Sequence, residues 1–300
     1  MASVSPELWE TLRSLHRGGG LSHEFAAAWA NGQAFLRASD GLRDRRPLRI
    51  DWKGGTRSPG DEVVPADLRV DHVYLISCKY LSRIVMNASP SHLFERLLTG
   101  GHGVRGGNWY QEIAPVEFAQ LTNRAVQVSG LGAAGFSSEL STAQGRLLAR
   151  ALPGRWPAEL ADEATAFADL VASLSAQRWT DIVRQKSASE RLLWRLLRIG
   201  SAPYFVLGTD KDSSLRLRIE TPWDWKQQFR LLHFRAAPRP SAQPVVAWVA
   251  EIEDRRTRSV SLVEGHVEIR WSHGKFNGSP EAKVYLDTPH HRVPGYVALG

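Results

Sequence analysis

The sequence predicts a mixed α+β chain with an α/β core towards its N-terminus, and three observations carry that prediction. Two segments with helical apolar spacing are followed by short strand-like runs within residues 1–80. Residues 137–199 are then dominated by helical patterns. Beyond Gly200, the segments SLRLRIETPW, FRLLHFRAA, PVVAWVAEIE, GHVEIRW and KVYLD read as strands separated by Pro, Gly, Asp and Ser turns.

Taken in order, Pro6–His16 and Ser22–Ala38 are expected helices, the second on the spacing of Phe25, Ala28, Trp29, Phe35 and Leu36. Ser22 is its expected N-cap, which puts Glu24 in the first turn, where the helix dipole favours a carboxylate. Leu48–Trp52 reads as a short strand and Gly54–Gly60 as a loop. Ala66–Tyr80 reads as two strands with a turn at Asp71 and His72. Ser91–Leu98 and Pro115–Ala125 are expected helices flanking a glycine-rich loop over residues 100–107. That loop lacks the Lys-Ser/Thr ending of a phosphate-binding P-loop. Pro153 and Pro157 interrupt the helical middle. The expected organisation is a core over 1–130, a helical segment over 131–204 and a β-rich part over 205–300.

Composition bounds the function. With 300 residues, 43% hydrophobic and 23% charged, the chain has an ordinary globular balance, enough for one large domain or two modest ones. No apolar run approaches the roughly 18 residues of a membrane span, and the N-terminus has no signal-peptide pattern, so a cytoplasmic protein without a membrane partner is expected. A single cysteine, Cys78, forms no internal disulfide and excludes a thiolate-rich zinc site, so a metal would be held by oxygen or imidazole. The formal charge of +7 favours acidic partners, of which nucleic acid is the commonest.

One segment carries chemistry. In the run VYLISCK, Val73, Leu75, Ser77 and Lys79 face one way and Tyr74, Ile76 and Cys78 the other. Both faces begin apolar, so the strand is central, Cys78 is expected to be buried, and the lysine at its end needs solvent, a carboxylate or a chemical role. If Asp71–Val73 form a three-residue loop, Asp67 lies opposite Ser77 and beside Lys79; a two-residue loop turns it to the other face. Such a carboxylate and lysine, with a backbone carbonyl, suit a Mg²⁺ ion and a water aimed at a phosphodiester. The plainer alternative is an aspartate capping a turn and a lysine snorkelling from a strand end.

Asp67 and the triplet Ser77-Cys78-Lys79 resemble the motif of the PD-(D/E)xK nuclease superfamily, which sets an acid on one strand and an acid-x-Lys triplet on the next. The resemblance spans roughly residues 15–125 and implies a restriction-endonuclease-like core. It also implies a Mg²⁺ (or Mn²⁺)-dependent DNA endonuclease, with a restriction or defence system and its further subunits as the usual setting. By that resemblance Asp67 binds metal, Lys79 orients the water, and Glu24 joins from the first core helix. The implied metal set is Asp67, Glu24, Asp51 and the Cys78 position. Ser77 stands where the second acid belongs, so Asp51, ranked first, or Asp71, Glu62 or Glu112 would have to compensate. The alternative is a degenerate nuclease fold serving as a DNA-binding subunit. A third reading is a partner-docking protein whose basic charge is incidental.

Arg216 and Arg218 alternate with Leu215, Leu217 and Ile219, giving one basic strand face. With Arg230, Arg235, Arg270 and Lys275 this face would follow a phosphate backbone, or else is a solvated outer surface. Trp223, Trp225 and Trp271 lie near polar turns, where an indole stacks on a base or belongs to the core. The loop from Trp271 to Phe276 combines an aromatic, His273 and Lys275 in a pattern that suits ligand contact or a plain hairpin. His290 and His291 are expected at the surface. No G-x-S-x-G sequence supports a serine hydrolase.

Overall fold

A computed structural model describes residues 4–52, 66–80, 84–96, 107–132, 140–184, 186–200, 202–210 and 213–300. The Gly54–Gly60 loop, Glu62 and residues 100–106 of the glycine-rich loop lie outside the described residues. The architecture is mixed α+β, as expected, with helices packed on two sheets.

Helix α1 (Pro6–Arg17) starts where Ser5 accepts the Leu8 amide at 3.2 Å and Pro6 presets the first turn. Helix α2 (Ser22–Arg37) begins at Ser22 itself, with Leu21 as cap residue and no side-chain cap bond, so the expected Ser22 cap is not made. Strands β1 (Ile50–Trp52), β2 (Leu68–Val70) and β3 (Tyr74–Tyr80) form an antiparallel meander. The β2–β3 loop is the three-residue one, since Val70 pairs with Tyr74 and Leu68 with Ile76. Asp71 and His72 take positive φ there (51° and 62°). The strain is held from outside: Asp71 accepts the Leu48 and Arg49 amides at 2.7 and 2.9 Å and pairs with Arg45 at 2.7 Å. These donors hold the Asp71 carboxyl below the usual carboxylate range, the Arg49 amide most of all.

Strand β4 (Ile84–Ala88) is followed by a π-helical turn over His92–Arg96 in place of the expected α-helix. Helices α3 (Trp109–Ile113), α4 (Pro115–Val128), α5 (Thr142–Ala151), α6 (Ala158–Ile182) and α7 (Lys186–Leu196) make up the helical middle. A capping box between Ser141 and Gln144 opens α5. Then come β5 (Tyr204–Asp210), β6 (Ser213–Ile219), α8 (Pro222–Gln228), β7 (Phe229–Pro238), β8 (Val245–Asp254), β9 (Val260–Arg270), β10 (Glu281–Leu286) and β11 (Tyr296–Ala298).

The first sheet has the order β1-β2-β3-β5-β6-β11, with β3 and β5 parallel and the other neighbours antiparallel. One face packs Val70, Ile76, Phe205 and Leu207 against Phe35 of α2 and Leu42. The other presents Tyr204, Val206, Leu217 and Ile219 to the larger core, which includes Leu192, Leu193 and Leu196 of α7. The second sheet, β4-β10-β9-β8-β7, is antiparallel and carries α6 across β7 and β8. Both sheets draw on both sides of the sequence boundaries at residues 130 and 204: β4 joins the second, while β5, β6 and β11 complete the first. Among the described residues, no helix is long and apolar enough to cross a membrane.

Candidate active site

The meander fixes the site. With Leu68 opposite Ile76, the chain before β2 sets Asp67 beside Ser77, and the Asp67 amide donates to the Ile76 carbonyl at 2.8 Å. The Asp67 carboxylate then accepts the Cys78 amide at 2.6 Å and the Ser77 hydroxyl at 3.2 Å, both on Oδ2. Ser77 and Lys79, two positions apart on β3, share the face that bears Val206 and Leu217. Gly208 makes this packing possible. A Cβ there would lie 1.9 Å from the Lys79 carbonyl oxygen, so any side chain would force β5 away from β3.

Lys79 is half-buried. Burial holds its ammonium below the ordinary lysine value, Arg198 adds repulsion, and Asp67 acts in the opposite direction. Arg198 is itself 6% exposed, takes φ of 62°, and donates to the Val85 carbonyl at 3.1 Å. Tyr204 shares a hydrogen bond with Ser77, and burial keeps its phenol protonated well above the usual range. Ser77, Lys79, Val85, Arg198, Tyr204 and His290 are among the residues that line a cavity of about 20 Å³, room for one water. His290, expected at the surface, is thus part of this wall, stacked near Tyr296 with centroids 6.1 Å apart.

Arg198 and His290 were not legible as site residues, because no local pattern marks an arginine just past a helix or a histidine near the C-terminus as partners of β3. Arg198 reaches Val85 across 113 positions of chain, and His290 comes to the wall that Lys79 lines from the far end of the sequence.

Other expected members lie elsewhere. Glu24 accepts the Tyr80 hydroxyl at 3.1 Å on the α2 side of β3, where both line a cavity of about 630 Å³ together with Cys78 and Lys79, while Asp67 and Ser77 are not among its lining residues. Asp51 is 3% exposed and paired with Arg49 at 2.8 Å and Arg69 at 3.6 Å. Arg49 chiefly holds its carboxyl below the usual range, which makes Asp51 a structural anchor of β1 and β2. Asp71 is the loop clamp described above, and Glu112 accepts the Ser91 hydroxyl at 3.0 Å on α3. None of the four replaces the missing acid. Cys78 is exposed, correcting the expectation of burial, though the surrounding protein and Asp67 push its thiol up to about 11. Mg²⁺ is a hard cation that takes oxygen ligands, so the part of Cys78 suited to it is the backbone carbonyl and not the thiol.

Among the described residues no group of three or more His, Cys, Asp or Glu side chains converges. The donor set around Asp67 is therefore one carboxylate with neutral oxygen neighbours. It suits a hard cation that keeps several waters and completes its shell with substrate phosphates, as Mg²⁺ does with one or two carboxylates.

The expected basic stripe is not assembled. Arg216 and Arg218 face α2: Arg216 donates to Asn31 at 2.9 Å and Arg218 pairs with Asp40 at 3.3 Å. Arg230 pairs with Glu253 at 2.5 Å, Arg235 with Glu251, and Arg270 with Glu268 at 3.3 Å. Lys275 donates to the Leu152 and Gly154 carbonyls at 2.8 and 2.6 Å. These residues sit on separate strands and turns and do not form one track. Trp225 is fully buried, whereas Trp223 is 74% exposed.

No family model, no curated protein and no solved structure matches this chain.

Proposed function

We propose that this chain is a Mg²⁺-dependent DNA endonuclease of the PD-(D/E)xK type. The observation that carries the proposal is the approach of Asp67, just before β2, to Ser77 and Lys79 on one face of β3, where Ser77 and Lys79 line a cavity large enough for one water. Asp67 would hold the cation together with the Cys78 carbonyl and substrate phosphates, and the ion when bound supplies Lewis-acid polarisation of the scissile phosphate. Lys79 positions the attacking water and offsets charge that develops on the phosphate. Its burial strengthens both effects, because fewer waters screen the ammonium. Arg198 and His290 line the same wall, where a guanidinium suits phosphate oxygens and an imidazole suits proton exchange. A cytoplasmic restriction or defence role, with further subunits, is the setting the resemblance brings.

A second reading is favoured by one contact. The Ser77 hydroxyl donates to Asp67 where the superfamily's second acid would supply negative charge. On this reading the chain is a degenerate nuclease fold that binds DNA without cutting it.

Nicking of supercoiled plasmid in Mg²⁺ or Mn²⁺ separates the two, with Ser77→Glu as the companion variant. For the nuclease, wild type nicks, and Ser77→Glu nicks faster or accepts more metals. If neither protein nicks in either metal while both retard DNA on a gel, the binding subunit is the correct reading.

A further inference from the structure

Helix α1 carries an apolar stripe that its own chain leaves uncovered. Leu8, Leu12 and Leu15 recur at i, i+4 and i+7, with Trp9 alongside, the spacing of a helix that buries one face. Yet no residue of α1 is buried, and Trp9 and Leu15 are 42% and 44% exposed. A turn through residues 18–20, all glycine, sets the direction of α1. Gly19 takes φ of 71°, its amide donates to the His16 carbonyl at 3.4 Å, and its carbonyl accepts the Ser22 amide at 3.3 Å. His16 then meets Phe25 of α2 edge-on, with centroids 4.9 Å apart.

The complementary surface lies beside α2. Asn31 ties α2 to Gly208 of β5 and Arg216 of β6, and the cavity of about 630 Å³ lies between that helix and the first sheet. Its walls include Ile50 and Leu68, both half-buried, and Gly32 and Cys78, both exposed, so it is an open groove. A Cβ at Gly32 would meet nothing within 4 Å. The groove follows α2 from Glu24 to Phe35, about 16 Å of helix, and the stripe from Leu8 to Leu15 needs about 10 Å. Phe25 is not among the lining residues, so the His16 contact holds α1 outside its own groove. Trp29 and Leu48, each next in sequence to a lining residue, and Tyr80 within the lining are exposed. Such an apolar rim marks a protein interface.

Charge sets the direction of an incoming helix. Leu42 and Pro47 line one end of the groove, next in sequence to Arg43 and Arg46, which are exposed and make no ion pair among the described residues. Glu24 lines the other end. Helix α1 has Glu7 and Glu10 in its first half and Arg13 and Arg17 in its second. Laid antiparallel to α2, it sets its acids at the arginine end and its bases near Glu24.

We infer that α1 of one copy docks in this groove on a second copy, antiparallel to α2, and that the exchange is reciprocal, giving a two-fold dimer. The inference stands whether or not Asp67 and Lys79 cut phosphodiesters.

Gel filtration of the full chain with light scattering should show a dimer whose share rises with concentration. Leu12→Asp on the stripe and Gly32→Glu in the groove should each weaken it at least about ten-fold. Neither replaces a buried residue, so both variants should fold, which circular dichroism checks. A bis-maleimide tests the contact directly, because Cys78, the single native cysteine, lies in the groove and Thr11→Cys sets a thiol beside the stripe. A covalent dimer should form with Thr11→Cys, but neither in wild type nor when Cys78→Ser is added. The inference is overturned if the chain is monomeric at every concentration, or if no covalent dimer requires both thiols. It is equally overturned if the thiols join within one chain, which means that α1 closes on its own groove, or if Leu12→Asp and Gly32→Glu both dimerise as wild type.

Discussion

Asp67→Asn separates chemistry from architecture at the candidate site. In the native chain one oxygen, Oδ2, accepts the Cys78 amide at 2.6 Å and the Ser77 hydroxyl at 3.2 Å, and Ser77 is 4% exposed. Asparagine is nearly isosteric and keeps an acceptor, so the two bonds persist as neutral ones. A charge-assisted bond is worth about twice a neutral one, which sets the loss at about 1 kcal/mol. Asp67→Ala removes both bonds and should cost about 2–3 kcal/mol, moderated by the hydrogen bond that Ser77 shares with Tyr204. At about 2–4 °C per kcal/mol, the two variants should melt several degrees apart. Cleavage behaves differently: both variants lose the carboxylate, so both should nick supercoiled plasmid at least about 100-fold more slowly than wild type. Differential scanning fluorimetry and plasmid nicking measure the two effects on the same samples. If Asp67→Asn nicks at the wild-type rate, Asp67 holds no metal and its role is confined to closing the β2–β3 hairpin.

Further predictions concern the neighbours of Asp67. Lys79→Met should abolish nicking and leave neutral-pH stability unchanged or raised, since it removes a charge that burial disfavours. The folded value of Lys79 is depressed below the unfolded value of about 10.4, so between them the unfolded chain binds more protons. Stability should therefore rise with pH through that window in wild type, and thermal melts across neutral and alkaline pH should show a smaller rise in Lys79→Met. Arg216→Ala strips a donor from Asn31, which also donates to the Gly208 carbonyl at 3.1 Å, and should cost about 1–3 kcal/mol. Because Arg216 faces α2, the salt slope of DNA binding should not change; a flatter slope would show that it contacts phosphate. Gly208→Ala sets a methyl group against the Lys79 carbonyl and should destabilise by about 2–3 kcal/mol in a denaturant melt, with loss of nicking. A neutral result would mean that β5 can separate from β3 without disturbing the site.

Several features were fixed by the residues themselves. A strand alternates its side chains with a period of two, so once Asp67, Ser77 and Lys79 lie on paired strands, only the loop length decides whether they meet. The helical spacing before and after the meander, and the Val, Ile and aromatic runs beyond Gly200, likewise specify elements whose periodicity is local. The length of the β2–β3 loop was not local. It is held by Arg45, Leu48 and Arg49, which reach Asp71 from across the sheet and secure two residues at positive φ. Glu24 shows the same limit: its place in the first turn of α2 was legible, but the sheet face on which α2 docks set it against Tyr80. Arg216 and Arg218 alternate with apolar residues as a solvated face would, yet α2 covers them, because alternation records that two faces differ and not what packs on either. The shift of the chain between sheets from β3 to β4, and the arrival of Arg198 and His290 beside Lys79, depend on contacts between residues far apart in sequence. Such contacts follow from burying every apolar face at once, a condition that only the complete tertiary fold satisfies.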